Sequence, residues 1–176
     1  MASRILLICS LAPARPVFPG DDPAPPTALP VPHPAPGPAR TSPLRRAVQT
    51  AEAMGLAARP DPALAEMDYG AWAGQSPEQV LAQDPQGFAR WQDDPHAAPH
   101  GGESFAAVVE RMARWLQDRA QGGDNLLAVT HPAPIQAALV HVLGAPLGAT
   151  RAIGVRPLSR MQLTHDGRRW SLLLLP

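Results

Sequence analysis

Two apolar runs in this chain end on residues that can do chemistry. Ile5 to Ile8 lead directly into Cys9 and Ser10, and Leu126 to Val129 lead into Thr130 and His131. A continuous apolar run stopped by a loop reads as a parallel strand buried on both faces. In open α/β sheets, ligands collect beyond the carboxyl ends of such strands. A thiol, a hydroxyl and an imidazole placed there could act as nucleophile, base or anion ligand. Both ends are followed by turns containing proline. The His, Cys and carboxylate residues show no metal-ligand spacing, so neither a metal site nor a cofactor is expected.

The elements that must position these groups are legible from periodicity and punctuation. Arg4 to Ser10 reads as a first strand; its alternative, a short secretory signal ending near Ala12-Pro13-Ala14, lacks a basic region. Pro43 to Met54 reads as a helix with Ser42 as N-cap and Pro43 at its first position, ended by Gly55. Ser76-Pro77-Glu78-Gln79 opens another by capping-box logic. The clearest helix runs from Glu103 to about Gln121, with Phe105, Val108, Val109, Met112, Trp115 and Leu116 on one stripe and Arg111, Arg114 and Asp118 off it. Asn125 to Thr130 is a strand, Pro132 to Leu143 a helix, and Met161 to Leu175 a hairpin turning at Asp166-Gly167. Strands alternating with helices predict an α/β layered fold with a mostly parallel sheet. The expectation is a single domain over 1–176.

Composition sets limits. The chain has 176 residues, 15 cationic and 15 acidic side chains and 45% apolar content. All the cations are arginine. Zero net charge speaks against a general nucleic-acid or membrane-surface binder, though not against a local anion pocket. One cysteine cannot form an internal disulfide, which reads as a cytoplasmic, reduced chain. Twelve of 23 prolines fall between Pro13 and Pro43. Residues 13–40 are therefore expected to be an extended, polyproline-like surface segment without a regular helix.

Four blocks resemble the histidine phosphatase, or phosphoglycerate mutase-like, superfamily. They are Thr41-Ser-Pro-Leu-Arg-Arg-Ala-Val-Gln-Thr50-Ala51, Leu64-Ala-Glu-Met-Asp-Tyr-Gly-Ala-Trp-Ala-Gly74, Pro99-His-Gly-Gly-Glu-Ser104 and Ala128-Val-Thr-His131. The resemblance covers roughly Thr41 to Gly144 plus the first strand, and leans toward the small bacterial members near α-ribazole phosphatase. It implies a three-layer sandwich and a pocket of two histidines and two arginines around a phosphoryl group. One histidine attacks phosphorus, an acid protonates the leaving oxygen, and water cleaves the phosphohistidine. Carried over, Arg46 is the second arginine, His131 the second histidine and Glu66 the proton donor. Glu103 belongs with the phosphate-binding set, as a carboxylate behind it. Each has a plainer reading: Arg46 a solvated cation, His131 a hydrogen-bonded core histidine, Glu66 an exposed loop acid. Tyr69 and Trp72 read as packing, His100 as reaching the pocket rim, and His33, His96, His141 and His165 as without a role.

The departure from the family pattern lies at the first strand. Its Arg-His-Gly triplet aligns with Cys9-Ser10-Leu11, so the attacking residue is Ser10 and the first arginine is Cys9. The proline-rich segment also replaces the helix and strand normally found after it. Cys9 and Arg15 separately carry the Cys-x5-Arg spacing of cysteine-dependent phosphatases. That chemistry needs N–H groups wrapped round phosphate and a lowered thiol pKa, whereas the intervening loop has no glycine, and Pro13 lacks an N–H. The expectation is a phosphatase-like protein with a degenerate pocket, catalytically impaired, that takes phosphate or a small phosphorylated molecule. The alternative is an active phosphomonoesterase working through Ser10 or His131.

Overall fold

The computed structural model describes residues 2–25, 29 and 37–174. Six strands form one sheet: β1 Ser3–Cys9, β2 Ala39–Thr41, β3 Arg59–Pro60, β4 Asn125–Thr130, β5 Arg160–His165 and β6 Trp170–Leu174, in the order β3-β2-β4-β1-β5-β6. Among the described residues, five α-helices accompany it: α1 Arg45–Ala53, α2 Pro77–Gln83, α3 Pro85–Asp93, α4 Phe105–Gly122 and α5 Pro132–Leu143.

The apolar run of β1 explains the layering. Ile5, Leu7 and Cys9 point into a core shared with Val108, Met112, Trp115 and Leu116 of α4 and with Ile135 and Ala138 of α5. Leu6 and Ile8 point the other way, onto Ala47 and Ala51 of α1 and Met54. Successive side chains of a strand face opposite sides, so a run apolar at every position must be covered on both. The result is an α/β/α sandwich.

The sheet is mixed, which refines the mostly parallel expectation. The pairings β1–β4, β2–β4 and β2–β3 are parallel, while β1–β5 and β5–β6 are antiparallel. The expected C-terminal hairpin is present up to Leu174, Leu175 lying outside the described residues, and it pairs with β1 through β5. Its turn uses Gly167 at φ 95°, a value that glycine tolerates.

Two helix starts differ slightly from expectation. α1 begins at Arg45, with Leu44 rather than Ser42 at its N-cap. Ser42 Oγ instead accepts the Leu44 N–H at 3.2 Å and turns the chain before the helix opens. α4 begins two residues later than expected because Ser104 caps it, accepting from the Ala107 N–H. The Ser76 capping box forms as expected.

The 13–40 expectation falls partly on 26–28 and 30–36, which lie outside the described residues, as does His33. The described remainder holds no helix, and it ends in β2. It is not all surface, however. Phe18 is 6% exposed and packs among Tyr69, Trp72, Phe88 and Trp91. Backbone bonds pin it there, Phe18 N–H to Gln75 O and Gly74 N–H to Phe18 O. Among the described residues, no helix is long and apolar enough to cross a membrane.

Candidate active site

Three parallel strands stop at one edge, and their register aligns the residues just beyond it. Cys9 pairs with Thr130 and Thr41 with Val129, so Ser10, His131 and Ser42 step off the sheet side by side. Ser10 N–H donates to Thr130 O at 2.7 Å and Ser42 N–H to Val129 O at 2.9 Å, extending the ladders by one rung. Arg46 lies in the first turn of α1 and reaches back over that edge. His131 is at once the end of β4 and the N-cap of α5.

Ser10, Arg46 and His131 converge. Ser10 Oγ lies 3.2 Å from His131 Nδ1, and an Arg46 guanidinium nitrogen lies 3.2 Å from the same Nδ1. Arg46 Nε is 3.5 Å from Ser10 Oγ. An arginine can only donate, so Nδ1 accepts, and the proton of the neutral ring sits on Nε2. That N–H donates to Ser42 Oγ at 2.8 Å. All three residues are essentially buried, at 1%, 1% and 0% exposed. Among the described residues, Arg46 NH1 has no hydrogen-bond partner although it is buried. An orphaned buried guanidinium N–H beside a serine and a histidine is what an anion would satisfy.

Burial and the Arg46 guanidinium push the His131 pKa down to about 3. Glu66 is displaced the other way. Burial raises its carboxyl to about 7, against the pull of the Met67 and Ala133 N–H bonds. Both bonds end on Oε1, at 3.0 and 3.2 Å. The Ala133 bond places the carboxyl at the positive N-terminus of α5. Glu66 is thus a buried acid at the start of the helix that His131 caps, not an exposed loop carboxylate.

Glu103 stands apart from the trio. Its carboxylate is forked by Arg111, at 3.0 Å from Nε and 2.8 Å from NH2. Arg111 NH1 in turn donates to Ala63 O and Ala65 O at 2.7 and 3.0 Å. Glu103 therefore contacts the loop that carries Glu66 and makes no contact with Ser10, Arg46 or His131. Arg111 lies off the apolar stripe of α4 and carries no motif; only its place beside Met112 in the chain hints that it faces the loop.

Other readings are settled by burial. His100 is 3% exposed, its ring 5.0 Å from that of Trp72 and 5.8 Å from that of Tyr69. Its Nδ1 accepts the Gly102 N–H. Trp72 and Tyr69 join the aromatic cluster as expected. Cys9 packs in the core with its thiol pushed up to about 12 by burial, while Arg15 is exposed. A thiolate nucleophile with Arg15 is excluded by that arrangement. Among the described residues, no group of three or more His, Cys, Asp or Glu could hold a metal ion. A cavity of about 410 Å³ lies beyond Met67 and Ala133, walled by Tyr69, Trp91, Phe105 and Gln136.

The three-layer α/β fold carries a buried serine, arginine and histidine together at the carboxyl edge of its sheet. The chain belongs to the histidine phosphatase superfamily (branch 1), whose profile matches residues 33–176. Phosphoserine phosphatase 1 of Hydrogenobacter thermophilus is 30% identical over 142 residues, covering 77% of this chain and 67% of that protein. The α-ribazole phosphatase of Shigella flexneri superposes with a TM-score of 0.82 at 23% identity, over 98% of this chain and 95% of that one. A mycobacterial glucosyl-3-phosphoglycerate phosphatase, solved with inorganic phosphate, gives 0.75 at 23% identity over 97% and 95%. The fold is thus that of phosphatases, and relatives at this level are named for phosphorylated substrates.

Proposed function

We propose that this protein binds phosphate or a small phosphomonoester through Arg46 and His131 and is impaired in the phosphotransfer of its relatives. One observation carries the reading: the position flanking His131 and Arg46 at the end of β1 is Ser10. A serine hydroxyl needs a base to attack phosphorus. Its neighbour His131 is a poor one, because burial and Arg46 hold its pKa far below neutral. Glu66, with a pKa near 7, remains suited to donate a proton to a leaving oxygen. Glu103 acts as a positioning residue, through Arg111 and the loop that holds Glu66. The organic part of the ligand is assigned to the 410 Å³ cavity, whose walls include Met67 and Ala133, the two residues whose N–H groups hold Glu66, but none of Ser10, Arg46 or His131.

A second reading is favoured by the 3.2 Å Ser10–His131 contact. In it, a bound phosphate dianion offsets the charge of Arg46, raises the His131 pKa and lets it deprotonate Ser10 for direct attack.

Hydrolysis of an aryl phosphate by the purified chain separates the two. The first reading expects turnover far below about one per second, the ordinary enzyme range, with partial recovery in Ser10→His. Turnover at that level, lost in Ser10→Ala, would establish the second reading and end the first.

A further inference from the structure

The chain's own acidic turn lies against Arg46. Asp21 and Asp22 lie early in the proline-rich segment, shortly after Phe18. Asp22 Oδ2 is 3.9 Å from Arg46 NH1, the buried nitrogen that lacks a hydrogen-bond partner. Hydrogen bonds shape the turn and set it against α1. Asp22 Oδ2 accepts the Gly20 N–H at 2.9 Å, shaping the bend. Asp21 Oδ1 accepts the Arg45 N–H at 2.7 Å, and Arg45 Nε donates to Asp21 O. One helical turn on, Gln49 Oε1 accepts the Ala24 N–H at 2.7 Å. The segment therefore lies across the first turn of α1, over the guanidinium.

We infer that the Gly20–Asp22 turn is an internal plug, with the Asp22 carboxylate standing in for an oxygen of a phosphate group at Arg46, so that anion entry displaces the turn. The inference rests on the phosphate-pocket reading above. Three facts point to a displaceable plug rather than a fixed ion pair. The 3.9 Å separation is too long for a hydrogen bond. The Asp22 side chain is 33% exposed, while that of Arg46 is 2% exposed. The remaining anchors of the turn fall on exposed groups at Arg45 and Gln49, where such bonds are individually weak. A phosphate dianion brings two charges and several acceptor oxygens against one distant carboxylate, and it would also meet that carboxylate's repulsion if both stayed. The two are therefore mutually exclusive at Arg46.

The experiment is calorimetric titration of inorganic phosphate into the full chain and its Asp22→Asn and Asp22→Glu variants, with Arg46→Ala as reference. Asparagine keeps an acceptor for the Gly20 N–H and removes the charge. The proposal expects Asp22→Asn to bind phosphate about tenfold more tightly than the native chain, with Asp22→Glu close to native. Unchanged or weaker binding in Asp22→Asn, alongside native binding that Arg46→Ala abolishes, overturns the plug and leaves the pocket reading intact. No phosphate binding by the native chain or by Asp22→Asn overturns both. A readout that needs no variant is amide hydrogen exchange. At phosphate concentrations that raise the native melting temperature, exchange across 18–25 must rise; unchanged or slower exchange there overturns the plug.

Discussion

Glu66 and His131 are two neutral groups that folding holds away from charge, and they tilt stability in opposite directions. The Glu66 carboxyl titrates near 4.5 when unfolded and about 7 in the fold. Between those values the folded state holds more protons, so stability falls as pH rises through that window. His131 moves from 6.5 to about 3; there the unfolded state holds more protons, and stability falls as pH drops through the window. The two effects oppose each other between pH 4.5 and 6.5. Glu66→Gln keeps an oxygen for both backbone N–H groups and removes the ionisation. It should be more stable than the native chain by about 3 kcal/mol at pH 8, and the gap should close as pH falls from about 7 to 4.5. Below pH 6.5 the variant should also lose stability more steeply, because the His131 penalty is no longer offset. Urea unfolding at about pH 8, 6 and 4 measures this, and a gap that ignores pH would refute it. The positions of Ser10 and His131 were legible because each ends an apolar run. Ser42 reads from sequence as a cap, and its partnership with His131 is invisible there, because only strand register brings residues 89 apart in sequence together.

At the scale of elements, α4 does more than cover the sheet. It grips the loop that carries Glu66 through Arg111, and Trp115 Nε1 donates to Asp61 Oδ2 at 2.8 Å near the start of that loop. Removing Arg111 leaves the Ala63 and Ala65 carbonyls without that donor and the Glu103 carboxylate with only the Asp68 N–H. Arg111→Ala should therefore cost about 2–3 kcal/mol, the scale of several lost charge-assisted bonds to part-buried acceptors. Glu103→Gln leaves both carbonyl bonds in place and affects a partly exposed carboxylate, so it should cost under about 1 kcal/mol. Equal losses in urea unfolding would show that the loop is not held by Arg111. The helices and the central strands were readable because a 3.6-residue stripe, a two-faced apolar run and capping serines are local signals. α3 was not foreseen, since Pro85 follows α2 so closely that the pair reads as one broken helix; Asp84 ends the first and caps the second. The two-residue β3 carries no pattern at all. It forms because Arg59 and Pro60 meet β2 in register, a long-range fact.

For the molecule as a whole, the segment leaving β1 matters as the link between the pocket and the helical lobe formed by α2 and α3. Its first stretch is fastened by one side chain. Phe18 sits 5.1 to 5.3 Å, ring centre to ring centre, from Tyr69, Trp72 and Trp91, and 6.4 Å from Phe88. These rings come from α3 and from the loop between Glu66 and α2, so Phe18 closes a cluster that no single element could bury alone. Proline composition hid this, because a proline-rich stretch reads as solvated and a lone phenylalanine within it has no periodicity to betray burial. Phe18→Ala should cost about 3 kcal/mol, in the range for a phenylalanine removed from a packed core. Phe18→Leu fills most of the volume and should recover more than half of that loss. The cluster contains two of the four tryptophans, so emission of the folded Phe18→Ala chain should shift to the red as water reaches them, while Phe18→Leu stays near native. A loss below about 1 kcal/mol with native emission would mean that the aromatic lobe closes without Phe18. The segment would then be a passive connection between β1 and β2, and the turn at Asp21 and Asp22 would depend on its contacts with α1 alone.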